Sequence, residues 1–366
     1  MIYDIIVVWA GASGLFFASQ IESDLSVLIL EKSEHIGQKL LMSGGERCNF
    51  SNSNVSPEHY FGTKKESLYG MFKKFSYQDM ETFLQINNIE TVEEKNGRLI
   101  LKSGKSKDLV QFLTQLLYKK DSTILTKHEV MAVHKAGDIF TVETNQGTFE
   151  AKNIILATGG KSIPQVGASD IGRSIAQSFG HSITELHPGL CGIETRKDVS
   201  PLSGSSCEAT ISLLDGSKNI YESTGPLLFT HRGFSGPIIF NTTIALGDYR
   251  KQEKNREKPI DTYSLAININ PNTVTKKIKL QFGDKVDQLI FPITQLRPRT
   301  EAKITVWGIP ITELLPSGES KKCPWLFILG ELVDITGETW GFNLQRCRTS
   351  AYVCAENFDK KSVVNT

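Results

Sequence analysis

The sequence predicts an α/β chain. A Rossmann-like nucleotide-binding domain, with a mostly parallel sheet and a β-meander, is interrupted by an inserted β-rich domain. Three observations carry this expectation. The first thirty-one residues read strand, glycine-rich turn, helix, strand, carboxylate. Glycine-rich stretches recur at the ends of two later predicted strands, at Thr158-Gly159-Gly160 and at Gly330-Glu331. Between them, from His187 to about Lys321, short strands punctuated by Gly, Pro, Asn and Asp replace the α/β alternation.

The elements follow in order. The apolar run Tyr3 to Val8 predicts a strand, followed by a turn, an amphipathic helix and a second strand, Val27 to Leu30. Glycines in such a turn let main chain approach a pyrophosphate, and the helix N-terminus adds amide donors and a partial positive charge. Glu31 lies 20 residues after Gly11 and suits a ribose hydroxyl. The turn itself reads Trp9-Ala10-Gly11-Ala12-Ser13-Gly14, so tryptophan holds the first glycine position of G-x-G-x-x-G. The β-α-β-α pattern continues to about Leu41. Met71, Phe72, Phe75, Met80, Phe83 and Leu84 have helical spacing, predicting a helix over 69–88, and a further helix is expected over 107–118. Alternation predicts strands over 98–101, 129–133, 140–144 and 148–151, the last three joined as a meander by turns at 136–138 and 145–147. A strand over 153–157 then runs into Thr158. The inserted segment is expected to hold strands over 207–214 and 262–269 and a solvated loop over 248–258. A strand over 326–329 and a helix over 343–358 return the chain to the first domain. The expected division is 1–186 plus 323–366 against 187–322. No second strand–G-x-G-x-x-G–helix occurs over 160–330; Gly167 to Gly172 reads as a loop and helix start capped by Asp170.

Composition narrows the function classes. Of 366 residues 22% are charged, and the net charge is +1, so no single-sign field recruits nucleic acid or an anionic membrane. No apolar run approaches the roughly 20 residues that span a bilayer. Asp4 stands where a signal peptide would be basic. A cytoplasmic protein acting on a small-molecule substrate, with no nucleic-acid or membrane partner, is the expectation. The six cysteines form no C-x-x-C and no zinc spacing, which predicts free buried thiols and no metal.

Ligands of open α/β sheets bind beyond the carboxyl ends of the strands. Three glycine-rich sites at such ends imply one extended ligand, with adenosine near Glu31, pyrophosphate at Gly11 to Gly14 and a far ring near the last helix. A second dense stretch runs Lys39-Leu40-Leu41-Met42-Ser43-Gly44-Gly45-Glu46-Arg47-Cys48-Asn49-Phe50-Ser51-Asn52. It offers donors and flexible backbone to phosphates and ring edges. In Thr230-His231-Arg232, His231 is the candidate catalytic proton donor, with a structural histidine as the plainer reading, and Arg232 is a candidate for a substrate carboxylate.

The chain resembles the YhiN/BaiN-like FAD-binding oxidoreductases, also called the aminoacetone-oxidase family. The resemblance rests on VVWAGASGL from Val7, IGQKLLMSGGERCNFSN from Ile36, ILATGGKSIPQVGASDIG from Ile155, LLFTHRGFSGP from Leu227 and LGELVDITGETWGFNLQRCRTSAY from Leu329. It implies FAD, a discontinuous FAD-binding domain and two-electron chemistry. NAD(P)H is then a transient donor, since no dedicated nicotinamide domain is visible. The implied function is hydride transfer between a reduced donor and an unidentified small organic substrate or acceptor. The implied cofactor-binding residues begin with Gly11, Ala12, Ser13, Gly14, Glu31 and Lys32. They continue through Lys39, Ser43, Gly44, Gly45, Arg47, Cys48 and Asn49, then Val130 and Thr158, Gly159 and Gly160. They end with Gly330, Glu331, Asp334, Gly341, Phe342, Asn343 and Leu344. A helical segment of the family has no room within residues 271–300.

The resemblance also implies glycine at all four tryptophans, Trp9, Trp307, Trp325 and Trp340, in motifs that otherwise read VVGAGASGL, ITVGGI, CPGLF and ETGGFN. Two accounts stay open. The codons are UGA, which some bacterial codes read as glycine and others as tryptophan. Otherwise the gene is decaying, with Glu46, Arg346 and Arg348 as further departures, and the product is a non-enzymatic or inactive nucleotide-binding remnant. A third alternative is NAD in place of FAD, against which the long Ser43 to Asn49 motif argues.

Overall fold

The computed structural model describes residues 1–366 except 22–23, 121, 185–186, 284–285, 307 and 365–366. It divides into two compact units, 1–185 with 307–366 and 186–306. The sequence reading returns the chain to the first unit at 323. The contact division returns it at 307, because Ile309 bridges Val333, and Glu319 bridges Phe327.

In chain order the first unit contains strand β1 (Ile2–Val8), helix α1 (Ala12–Gln20), strands β2 (Val27–Leu30), β3 (Thr123–Leu125), β4 (Val130–Ala136), β5 (Ile139–Thr144), β6 (Gly147–Leu156) and β7 (Leu326–Ile328), and helix α2 (Phe342–Val364). The sheet order is β3-β2-β1-β6-β5-β4, with β7 also pairing β6. Strands β3, β2, β1, β6 and β7 run parallel, and their tips align: Val8 pairs Leu30 and Leu156, and Leu156 pairs Ile328. Both faces are covered, as a parallel sheet of continuous apolar runs requires. Ile5, Val7 and Ile29 pack under Leu15, Phe16 and Phe17 of α1, while Ile6, Val8 and Leu30 face Val133, Phe140 and Val142. Helix α2 packs along α1.

Two expected strands prove to be one. Strand β6 pairs β5 antiparallel over Gly147 to Ala151 and β1 in parallel through to Leu156, so it joins meander to parallel sheet. The polar pair Lys152-Asn153, which breaks the apolar alternation, is a tether: Lys152 Nζ lies 2.8 Å from Asp4 Oδ1, and Asn153 Nδ2 donates to the Asp4 carbonyl at 2.9 Å. The single helix expected over 69–88 is two, Lys65–Lys74 and Tyr77–Ile86. Ser76 starts the second with a capping box closed by Asp79, and such a cap terminates the preceding run. Asn49–Asn52, the end of the second dense stretch, forms a buried strand on Arg98–Leu101. Asp170 precedes the helix Ile171–Ser178, yet its carboxylate takes Arg173 and Lys161 instead of capping the amides.

The second unit closes six strands into a barrel, in the order Ile193–Thr195, Gly233–Ser235, Lys218–Thr230, Ser206–Asp215, Tyr263–Ile269, Leu289–Leu296. Its core holds Ile211, Leu213, Phe229, Phe234, Ile267 and Phe291. The expected solvated loop over 248–258 is largely helical. The helix Pro237–Lys251 runs through its first part, and Asn255 is buried with Nδ2 on the Tyr249 carbonyl. A charge-rich stretch reads as loop when only one face of its last turns is apolar.

Candidate cofactor site

The aligned strand tips put four predicted segments on one edge. Beyond β1 lie Gly11, Ala12, Ser13 and Gly14. Helix α1 has Gly11 at its N-cap, without a side-chain cap or an acidic residue in its first turn. Its first amides thus lack a side-chain partner, the arrangement that receives an anion. A Cβ on Gly14 would run into the carbonyl of residue 9, so only glycine lets helix and strand approach here. Beyond β2, Glu31 is buried and accepts from the amides of Ala10 (3.1 Å) and Ser33 (2.8 Å). Each carboxylate oxygen keeps capacity for a further donor. Beyond β6 come Thr158, Gly159 and Gly160, and beyond β7 Gly330 and Glu331. Gly330, at φ +64°, lies so near Ser13 that a Cβ would run into its Oγ, which brings the β7 tip close to the α1 start.

The segment after β2 reaches the same edge. Lys39 Nζ lies 2.6 Å from Glu331 Oε2 and 2.9 Å from Ser162 Oγ. Ser162, within the stretch from Ile155, is a residue at this edge that was not among the implied cofactor residues. Gly44 and Gly45 both have positive φ, +59° and +65°. Gly44 packs on Asn49, whose Oδ1 in turn faces Gly341. Arg47 is turned outward to an ion pair with Glu94. Cys48 is buried, and burial pushes its thiol up to about 11, so it is no thiolate at neutral pH.

The start of α2 closes the other side. Gly341, at φ +101°, lies so near Ser51 that a Cβ would run into the Ser51 carbonyl. Asn343 folds back, donating to the Gly337 carbonyl at 2.6 Å and accepting from the Gly337 amide at 2.8 Å. Phe342 is buried, its carbonyl bonded by Tyr60 Oη at 2.8 Å, and Leu344 packs into the core beside α1. The His59 ring lies against Phe342, centroids 4.8 Å apart and tilted by 38°, and places Nδ1 3.0 Å from Glu338 Oε2. No motif named His59, since its neighbour is 279 residues away. Asp334 is buried one turn before this loop, against Gly62. Val130 is buried at the first residue of β4, in one cluster with Trp9, and the His128 amide donates to the Glu31 carbonyl. Lys32 also lies 3.6 Å from Glu129.

These residues fit a dinucleotide. Ser43 Oγ, Asn49 Oδ1 and Thr158 Oγ1 are buried without a hydrogen-bond partner, and all three belong to predicted cofactor motifs. Arg346 and Arg348 are fully buried on α2. Each gives one Nη1 to a carbonyl, of Gly330 and Phe50 respectively, and leaves Nε and Nη2 without partners. Unsatisfied buried donors cost about 1–3 kcal/mol each, more when charged. A polar or anionic group that reached them would relieve that cost.

Position 9 is the misfit. Trp9 has φ +81°, is buried, and holds Nε1 without a partner; its ring lies under Lys32 Nζ at 5.5 Å. The structure turns this ring toward Lys32 and packs it in the cluster that holds Val130. Trp325 and Trp340 also have positive φ, +70° and +73°. An L-residue in this region costs roughly 1–2 kcal/mol. Trp307 lies outside the described residues.

His231 belongs to the other unit, at the exposed turn between Lys218–Thr230 and Gly233–Ser235. Beside it Arg232 pairs with Glu194 and Glu301, each at 3.2 Å. Among the described residues no cluster suits a metal and no helix is long and apolar enough to cross a membrane.

Known proteins are similar to this chain. The chain is 29% identical to the ribosomal RNA dihydrouridine synthase of Haemophilus influenzae, over 97% of this chain and 98% of that protein. It is 25% identical to the 3-dehydro-bile acid delta(4,6)-reductase of Clostridium scindens, over 79% of this chain and 70% of that protein. Among solved structures, the 3-ketosteroid delta1-dehydrogenase of Sterolibacterium denitrificans shares the fold at TM-score 0.55 and 11% identity, covering 98% of this chain and 99% of that one. The family model described as HI0933-like protein Rossmann domain matches residues 3–357, and the chain belongs to that family.

Proposed function

We propose that the chain binds FAD along the strand tips and reduces a carbon–carbon double bond conjugated to a carbonyl. The observation that carries this is the meeting of Gly11–Gly14, Glu31, Lys39, Thr158–Gly160 and Gly330–Glu331 on one sheet edge. The relatives supply the bond class. A dihydrouridine synthase saturates the uracil ring double bond beside a carbonyl, and a delta(4,6)-reductase of a 3-dehydro compound acts on double bonds conjugated to its ketone.

When bound, FAD supplies a hydride equivalent drawn from a reduced donor, for which NAD(P)H is the candidate. The chain's residues divide the remaining tasks. The α1 amides at Gly11 to Gly14 bind the pyrophosphate, and Glu31 accepts from the adenosine ribose. Lys39 holds Glu331 in place beside Gly159. The N-terminus of α2, at Gly341 to Leu344, favours negative charge near it. Saturating a conjugated bond also needs a proton. His59, on Glu338 and Phe342, is the proton donor we favour, with His231 as the donor named by the sequence.

The balanced charge of the chain favours a small substrate, whereas the full-length relatives point to uracil within RNA. Both arms are tested by incubating the FAD-loaded protein anaerobically with NADPH or NADH and either an unmodified ribosomal RNA or a small cyclic enone. Loss of the substrate's conjugated absorbance with matching donor oxidation is expected in one arm. A stably FAD-loaded protein that saturates neither would overturn the reading. The second reading, a nucleotide-binding remnant without turnover, is favoured by the indole at position 9 alone.

A further inference from the structure

We propose that the functioning protein carries glycine at positions 9, 325 and 340, and at 307 by the same decoding, each from a UGA codon read as glycine. This goes beyond the proposed reaction and does not depend on it.

The backbone carries the inference. All three described tryptophans sit in the left-handed region, at φ +81°, +70° and +73°. Only a few per cent of non-glycine residues do so, mostly Asn, Asp and His, and a bulky residue there is an outlier. Three of three by chance is on the order of one in ten thousand. Tertiary bonds hold the conformation at two of these positions. The Trp325 amide donates to Glu319 Oε1 at 3.0 Å, and its carbonyl accepts from the Ile154 amide at 3.0 Å. The Trp340 carbonyl accepts from Asn52 Nδ2 at 3.0 Å, and the next residue, Gly341, is also at positive φ. Position 9 lies where strand passes to helix. Its amide donates to the Leu30 carbonyl at 2.8 Å, and Gly14 presses on its own carbonyl.

The surroundings agree with a missing side chain. The indole at 9 buries a donor with no acceptor, beside the carboxylate that would take the ribose. Random decay would strike helices and strands as readily as turns. It would also leave some tryptophans in ordinary core positions. A codon reassignment instead converts a whole residue class at once, and the chain has four tryptophans in all. Under the proposal the native protein contains no tryptophan.

Peptide mass spectrometry of the protein isolated from its own cells, with the four codons read from the gene, tests this directly. Glycine at 9, 307, 325 and 340 over UGA codons is expected, together with no tryptophan emission from the native protein. Tryptophan in any of these peptides, or UGG at any of these codons, would overturn it. Thermal unfolding of the expressed chain is a second readout, since Trp9→Gly, Trp325→Gly and Trp340→Gly together should raise the melting temperature by several degrees. An unchanged or lowered melting temperature would count against it. Glycine found without turnover would sink the proposed reaction and leave this inference standing.

Discussion

Lys39 and Glu331 meet with Nζ 2.6 Å from Oε2, although 292 residues separate them. The contact ties the segment after β2 to the tip of β7. Lys39→Met removes a charge-assisted bond. It should cost about 1–2 kcal/mol, the low end for such bonds because the lysine side chain is about a third exposed. Urea unfolding reads the loss. Retained flavin after gel filtration should fall in parallel, and a variant that keeps full stability and full flavin would remove Lys39 from the site.

Two glycines of the site should differ in how their loss can be repaired. Gly330→Ala meets a side chain, Ser13 Oγ, and Gly341→Ala meets main chain at Ser51. Both residues have positive φ, so each substitution costs at least about 1–2 kcal/mol. Ser13→Gly should recover part of the Gly330→Ala loss, whereas no single truncation should recover Gly341→Ala. Thermal unfolding of the double variants decides it.

His187 is buried in the barrel unit, and desolvation, with Arg250 and Arg299, lowers its pKa to about 3. Between its ordinary value near 6.5 and about 3, the unfolded chain takes up a proton that the folded chain does not. Its stabilising effect is therefore complete above pH 6.5 and is lost as pH falls toward 3, by up to about 1.4 kcal/mol per pH unit. Glu313 is held down at about 2 despite burial, by bonds from Ser182, Lys322 and His181, so its effect fades only below about pH 4.5. The window from 4.5 to 6.5 isolates the histidine. His187→Gln should flatten the stability slope there, and an unchanged slope would show that His187 does not set it.

His59→Gln should lower turnover at least tenfold without loss of bound flavin, because the ring leans on Phe342 and Glu338 rather than on any of the site's glycines. Restored turnover with added imidazole would mark a proton role. If His231→Gln alone shows this pattern, the assignment passes to His231.

All six cysteines are buried, and burial lifts Cys48 to about 11, Cys191 to about 12 and Cys207 to about 11. Native protein at pH 7 should resist alkylation, with six sites labelled after unfolding. Fast labelling of Cys48 in the native state would instead assign it a reactive role.

The amino-acid sequence by itself determined the glycine turns, the buried parallel strands and the carboxylate at Glu31, since each is written within a few consecutive residues by periodicity and backbone freedom. It also exposed position 9 as anomalous. Tertiary structure alone decided what depends on distant partners. It merged 147–156 into one strand through Asp4, brought Ser162 onto Lys39, and set Tyr60 and His59 beside the predicted motifs. It closed the barrel, turned Arg47 outward to Glu94, and fixed the positive φ of Trp9, Trp325 and Trp340. Such features are settled by which main-chain and side-chain groups meet across hundreds of residues, and local pattern carries no record of that.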